Sequence, residues 1–197
     1  MCIRDRAIAV KLQRPDTSAL VRAASGNSLL FNGEWRRAAE QFSLALEIYE
    51  RFVAAGARAT EGDNFTARWE TDTFRYFLLG ALFQLGRWRE MTERYETYAR
   101  DAQRRGDLYL WTSLQAGDSN YCLLFRDDPA LARRSATEAL AGWSKGTRFQ
   151  MQHWYAFQSL TSVDLYEGDG DAALARVRGT WSSLNRSFLL RIQYTRV

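Results

Sequence analysis

The chain has 197 residues, 46% of them hydrophobic and 14% aromatic, and a formal net charge of +4 from 27 Lys and Arg against 23 Asp and Glu. This apolar content is ample for a core and excludes a disordered chain, and the presence of only two prolines argues against a linker or low-complexity character. No apolar run approaches the roughly 20 residues that a membrane-spanning helix needs, so no membrane partner is expected.

Cys2 and Cys122 are the only cysteines, which rules out a disulfide framework or a CxxC zinc site and fits a reducing, cytoplasmic location. The basic side is almost all arginine, Lys11 and Lys145 being the only lysines. Its pairs, Arg36-Arg37, Arg104-Arg105 and Arg133-Arg134, are interspersed with acids, without a block of like charge. Nucleic acid is therefore not the expected partner, and the arginines read as solvated helix faces.

Taken in order, the first six residues, MCIRDR, look like the translation of a transposon end used to prepare sequencing libraries. Residues 1–6 are accordingly set apart as an adapter artefact, and 7–197 read as one helical-repeat domain truncated at both ends. After Pro15, the cluster Asp16-Thr17-Ser18 suits the start of a helix running to Phe31, which Asn32-Gly33 ends. A second helix carries the stripe Trp35, Ala38, Phe42, Ala45, Tyr49 and Phe52 and is expected to stop in a loop from Gly56 to Asn64, with Gly62-Asp63 as its turn.

The next segment, Leu78 to Asp107, has apolar residues at Leu78, Ala81, Leu82 and Leu85, then at Trp88, Met91, Tyr95, Tyr98, Ala99 and Ala102, the spacing of two helices each burying one face. Gly86 divides them, Gly106 ends the second, and Asp107 is the N-cap of the following helix. A third pair runs from Asp107 to about Lys145, with Gly117 inside its first helix. Its internal turn is Asp127-Asp128-Pro129, where Asp128 caps and Pro129 takes the first helical position. The fourth pair takes Phe149 to Glu167 and Ala172 to about Leu184 around Gly168-Asp169-Gly170-Asp171, and Phe188-Leu189-Leu190 begins a ninth helix.

The turns form two ladders: Gly33, Gly86, Asp127 and Gly168 within pairs, and Gly62, Gly106 and Gly146 between them. The later within-pair steps are 41 residues each, longer than the roughly 34 of a standard tetratricopeptide repeat by about two helical turns per unit.

Gly26, Gly33, Trp35, Ala38, Phe42, Ala45 and Leu46 resemble the tetratricopeptide repeat in type and spacing. That resemblance implies small residues where two antiparallel helices approach and aromatics filling the gaps, and hence an all-α, tetratricopeptide-like α-solenoid of about four antiparallel helix pairs. From Thr60 onward the phrases Trp69-Glu70-Thr71-Asp72, Arg105-Gly106-Asp107-Leu108-Tyr109, Gln152-His153-Trp154-Tyr155-Ala156 and Asp164-Leu165-Tyr166-Glu167-Gly168-Asp169 are similar to the C-terminal helical-repeat region of large bacterial serine/threonine kinases fused to an AAA-type ATPase module. The chain has no glycine-rich phosphate loop, His-Arg-Asp loop or Asp-Phe-Gly, so the resemblance implies no catalytic residue here.

His153 is the only histidine, and it sits in the aromatic run Phe149 to Phe157, where it reads as packing and hydrogen bonding to a neighbour rather than as a base or ligand. Seven tryptophans, at 35, 69, 88, 111, 143, 154 and 181, read as core. The expectation is a noncatalytic interaction or sensor region without cofactor or metal, binding a protein, a peptide or the upstream domains of its own polypeptide. The alternatives are the repeat region of an ATPase-type transcription regulator and a nucleic-acid-binding repeat. If each first helix lines a groove, the equivalent positions Asn27, Tyr76, Gln84, Tyr121, Gln158 and Tyr166 face the partner with amides and tyrosines, which suit an extended backbone.

Overall fold

The computed structural model describes residues 15–54, 61–143 and 148–192, the backbone alone for 53, 54 and 61–67. Residues 1–6 and the Gly146 turn lie outside the described residues, as do Gly56 and residues 58–60 of the expected long loop. All regular structure among the described residues is helical. In chain order these are α1 (Pro15–Phe31), α2 (Trp35–Ala54), α3 (Glu61–Gln84), α4 (Trp88–Arg105), α5 (Leu108–Gln115), a 3-10 turn (Gly117–Asn120), α6 (Tyr121–Leu124), α7 (Pro129–Trp143), α8 (Met151–Tyr166), α9 (Gly170–Arg186) and a 3-10 turn (Leu189–Arg191).

One local device recurs at five helix ends. After α1, the Glu34 N–H donates to the Leu29 carbonyl at 2.9 Å and Gly33 N–H to that of Leu30 at 3.1 Å, the paired bonds of a Schellman stop. The same pair is made by Arg87 and Gly86 after α3, Asp107 and Gly106 after α4, Asp128 and Asp127 after α6, and Asp169 and Gly168 after α8. The stop requires a left-handed residue, and φ is +78° at Gly33, +69° at Gly86, +65° at Gly106, +57° at Asp127 and +80° at Gly168. Asp127 therefore holds a backbone position that glycine holds at the other four. Next to these stops, Asp107, Asp128 and Asp169 each accept a backbone N–H, from Leu110 at 2.9 Å, Leu131 at 2.9 Å and Ala172 at 2.8 Å. These three connections thus end one helix and cap the next within a few residues.

Two compact units divide the chain between Arg87 and Trp88. In the first, α1 and α2 form a hairpin joined by three residues, with Arg22 reaching Gln41 across it, and α3 packs on α2. Ala19, Ala23 and Gly26 of α1 are buried, as are Ala38, Phe42, Ala45, Leu46 and Tyr49 of α2. The Phe42 ring stacks on Phe77 at 6.0 Å, Phe31 meets Phe77 edge-on at 6.4 Å, and Tyr49 lies 5.8 Å from Phe74. Small residues on α1 thus admit aromatics from α2 and α3, the arrangement expected between Gly26 and Leu46.

In the second unit α4 packs on α5, α5 on α7, α6 on α7, α7 on α8 and α8 on α9. Met91, Tyr95, Tyr98, Ala99 and Ala102 form the buried stripe of α4. Leu123, Leu124, Ala132 and Val163 make a core cluster, with Tyr121 and Leu131 packed against it.

Four sequence expectations change. Gly117 lies not inside a helix but at a break, at φ +65°, where α5 ends and the chain passes through a 3-10 turn before α6. The break is buried, and side chains satisfy its backbone: Asn120 donates to the carbonyls of Gln115 at 2.9 Å and Ala132 at 3.0 Å, and Ser159 to that of Gly117 at 3.2 Å. Gly62 belongs to α3, which starts at Glu61 rather than after Asn64. The Phe188 segment makes a 3-10 turn within the described residues. Finally, the tryptophans do not fill the core. Trp35, Trp69, Trp88 and Trp181 are exposed, because they occupy helix ends and outer faces, while alanines, leucines, tyrosines and Phe42 occupy the contacts.

Candidate functional site

The six residues expected to line a groove divide between the two units. In the first, Tyr76 is only 7% exposed and packs edge-on against Phe77 at 6.1 Å. Asn27 is half-buried with its Oδ1 enclosed, and Gln84 is exposed in the last turn of α3.

In the second unit, Gln158 and Tyr166 are separated by two helical turns of α8, with Ser162 between them, so the three share one face. The Tyr121 hydroxyl meets Ser162 Oγ at 2.7 Å, and the Tyr166 hydroxyl donates to Asp127 Oδ1 at 2.7 Å. Tyr121, Gln158 and Tyr166 are therefore brought to one side of α8. Hydrogen bonding to Asp127 raises the Tyr166 phenol above its usual value, so it stays a neutral donor at physiological pH.

Sequence reasoning missed what continues this face. Tyr121 stacks on Phe125 at 6.4 Å, and Phe125 stacks on Trp88 at 4.9 Å with an interplanar angle of 22°. Trp88 is 51% exposed and Phe125 38%, and Leu165 and Tyr166 are exposed as well. Arg126, beside Phe125, pairs with Glu96 of α4. Trp88 opens α4 just after one Schellman stop and Phe125 lies just before another, so both flank turns, and their stacking follows from where those turns meet in space.

Behind this face lies a buried polar seam. Asp164 is 1% exposed and accepts from Arg133 Nη1 at 2.7 Å and from Arg176 Nε at 2.8 Å and Nη2 at 3.2 Å; Arg133 also pairs with Glu167. Burial alone pushes the Asp164 carboxyl up, but Arg176 and Arg133 outweigh it and hold it below the usual carboxylate range. These charges join α7, α8 and α9 and are consumed by one another, as in a structural network rather than a reactive pair.

Cys122 is fully buried, and burial pushes its thiol up to about 11 against the pull of Thr92 and Arg126. It is a packing residue, not an activated thiolate. Among the described residues no group of three or more His, Cys, Asp and Glu is placed to hold a metal ion, and no helix is long and apolar enough to cross a membrane.

Comparison with protein-family models and with curated proteins finds no match to this chain.

Proposed function

We propose that the chain is a noncatalytic, tetratricopeptide-like interaction or sensor region of a bacterial signalling protein, from a serine/threonine kinase carrying an AAA-type ATPase module, acting in the cytoplasm. In this reading its helices form four antiparallel pairs stacked as a right-handed solenoid, and its partner is a protein or peptide, such as an upstream domain of the same polypeptide. The recurrence of one turn geometry at Gly33, Gly86, Asp127 and Gly168, two of the steps being 41 residues long, supports a repeat architecture.

The observation that carries the interaction reading is the exposed stack of Trp88 on Phe125, continued by Tyr121 and flanked by Tyr166. Tryptophan and tyrosine combine large apolar area with a polar tip and lose little conformational entropy on binding, which makes them frequent interface anchors. Here they are already held in place by Ser162, Asp127 and each other, so binding has little ordering left to do.

The test begins with the reading frame upstream of Ala7 in an unbroken assembly, where a His-Arg-Asp loop and a phosphate-binding loop are expected. The upstream domains and this chain are then combined and their association measured. The double substitution Trp88→Ala with Phe125→Ala is expected to weaken it by roughly 10-fold or more, since central aromatic anchors are worth about 2 kcal/mol or more. Unchanged association overturns the interaction surface. A helix-turn-helix module upstream replaces the kinase with a transcription regulator, and salt-sensitive binding of RNA or DNA at about 50 mM salt replaces the protein partner with nucleic acid.

A further inference from the structure

Between the start of α8 and the end of α9 lies an open cleft of about 650 Å³, within the size range of small-molecule sites. Phe149 and His153 form one wall, Ser183, Arg186 and Phe188 the other, and Arg148 adds a second guanidinium. Among the described residues no carboxylate lines it, and neither arginine has an ion-pair partner. Arg191 places a third positive charge 4.8 Å from the centre of the Phe188 ring. Two guanidiniums lining one concavity, with no carboxylate beside them among the described residues, make a local field that an oxyanion neutralises, and the planar fork of arginine matches phosphate and carboxylate oxygens.

The ring-bearing walls have their own signature. Phe188 has φ +64°, a backbone region in which a bulky side chain is a true outlier, yet its ring is 64% exposed. Neighbouring bonds fix it there: the Leu189 N–H donates to Ser187 Oγ at 3.3 Å, and the Arg191 N–H to the Phe188 carbonyl at 2.9 Å. Phe188 follows the C-cap Ser187 of α9, where a left-handed residue ends the helix, and this stop holds its phenyl ring out into solvent beside the cleft. Opposite, Phe149 lies 5.3 Å from the His153 ring, whose Nδ1 accepts the Gln150 N–H at 3.1 Å. That bond leaves the proton of the neutral imidazole on Nε2, as a donor.

We propose that this cleft binds a compact aromatic oxyanion, an aryl phosphate above all, with its ring against Phe149 and Phe188 and its oxygens on Arg148 and Arg186. The same chemistry is presented by a free aryl phosphate and by a phosphotyrosine side chain.

His153 is the only histidine of the chain, so its imidazole resonances report on the cleft without assignment ambiguity. Titration of the full chain with phenyl phosphate is expected to shift them saturably in the submillimolar range, with inorganic phosphate binding roughly 10-fold more weakly for want of the ring. The double substitution Arg148→Ala with Arg186→Ala is expected to abolish the shift. Phe188→Gly, which suits the left-handed backbone and so keeps the fold, is expected to weaken phenyl phosphate toward the level of inorganic phosphate. A phosphotyrosine peptide that binds more tightly than phenyl phosphate assigns the site to a polypeptide partner, and one that binds more weakly assigns it to a free ligand. No saturable shift, or a shift that survives the double arginine substitution, overturns the assignment.

Discussion

A Cβ placed on Gly26 would lie 2.9 Å from Cε1 of Phe42 and 3.0 Å from two further atoms of the same ring. The ring has nowhere to go: Phe42 is fully buried and stacked on Phe77. Gly26 is therefore required by the close approach of α1 and α2, although glycine inside a helix costs about 1 kcal/mol relative to alanine.

Gly26→Ala is accordingly expected to destabilise the first unit by about 1 to 3 kcal/mol despite its better helix propensity, the usual range for overpacking a filled core. Denaturant unfolding checks the sign. Combining it with Phe42→Leu should recover part of the loss, because the smaller side chain makes room for the methyl. A Gly26→Ala variant more stable than the parent would show that helix propensity outweighs the ring contact.

Cys122 offers a probe of the second unit. Its thiol is buried and pushed up to about 11, so at a pH of about 8 almost none of it is thiolate. In a Cys2→Ser background, Cys122 is expected to resist a disulfide-exchange reagent under native conditions and to react fully in denaturant. Its slow native reaction should track unfolding of the second unit. Rapid stoichiometric reaction in the native state would contradict the burial of α6.

The helix ends were legible because they depend on local chemistry. Glycine or aspartate at the stop, followed at Gly106, Asp127 and Gly168 by an aspartate cap, places Gly33, Gly86, Gly106, Asp127 and Gly168 without knowledge of the packing. The tight contact of α1 and α2 was also readable, from Gly26 on α1 and the stripe Ala38, Phe42 and Ala45 on α2. The break at Gly117 was hidden, since it is stabilised by Asn120 reaching Ala132 and by Ser159 reaching Gly117 from α8, partners 12 and 42 residues away. The tryptophans misled for a related reason: helical spacing says that residues share a face, not whether that face is covered. Within the candidate site, Tyr121, Gln158 and Tyr166 were named from positions expected to be equivalent, and the structure places them on one side of α8. Trp88 and Phe125 were not, because their stacking depends on where two turns meet in space.

Asp127 offers a test of the turn geometry itself. It adopts φ +57° where the other four stops have glycine, and aspartate tolerates that region better than alanine does. Asp127→Gly is therefore expected to hold stability near the parent's, whereas Asp127→Ala adds left-handed strain of about 1 kcal/mol or more. Both remove the acceptor for the exposed Tyr166 hydroxyl, so the difference between them isolates the backbone. Equal thermal stability of the two variants would argue against a left-handed residue at this stop.

Asp164 carries the prediction with the clearest pH signature. Burial raises its carboxyl pKa, but the opposing bonds from Arg176 and Arg133 prevail and leave it below the usual range. A carboxyl whose folded pKa lies below its unfolded value, about 3.9, favours the folded state when ionised. Its stabilisation is thus fully present above the unfolded pKa and is lost as pH falls through the folded one. Replacing it with asparagine keeps the shape but removes the charge that two arginines share, at an expected cost of about 2 to 3 kcal/mol, less than for a wholly enclosed pair because both guanidiniums reach solvent. For a chain of this length the melting temperature should fall by roughly 5 °C or more at neutral pH. The gap between parent and Asp164→Asn should then narrow below a pH of about 4, where the parent begins to protonate the same group. A pH-independent gap would mean that the variant acts through lost packing, and no gap at neutral pH would remove Asp164 as the charge that ties α7, α8 and α9 together.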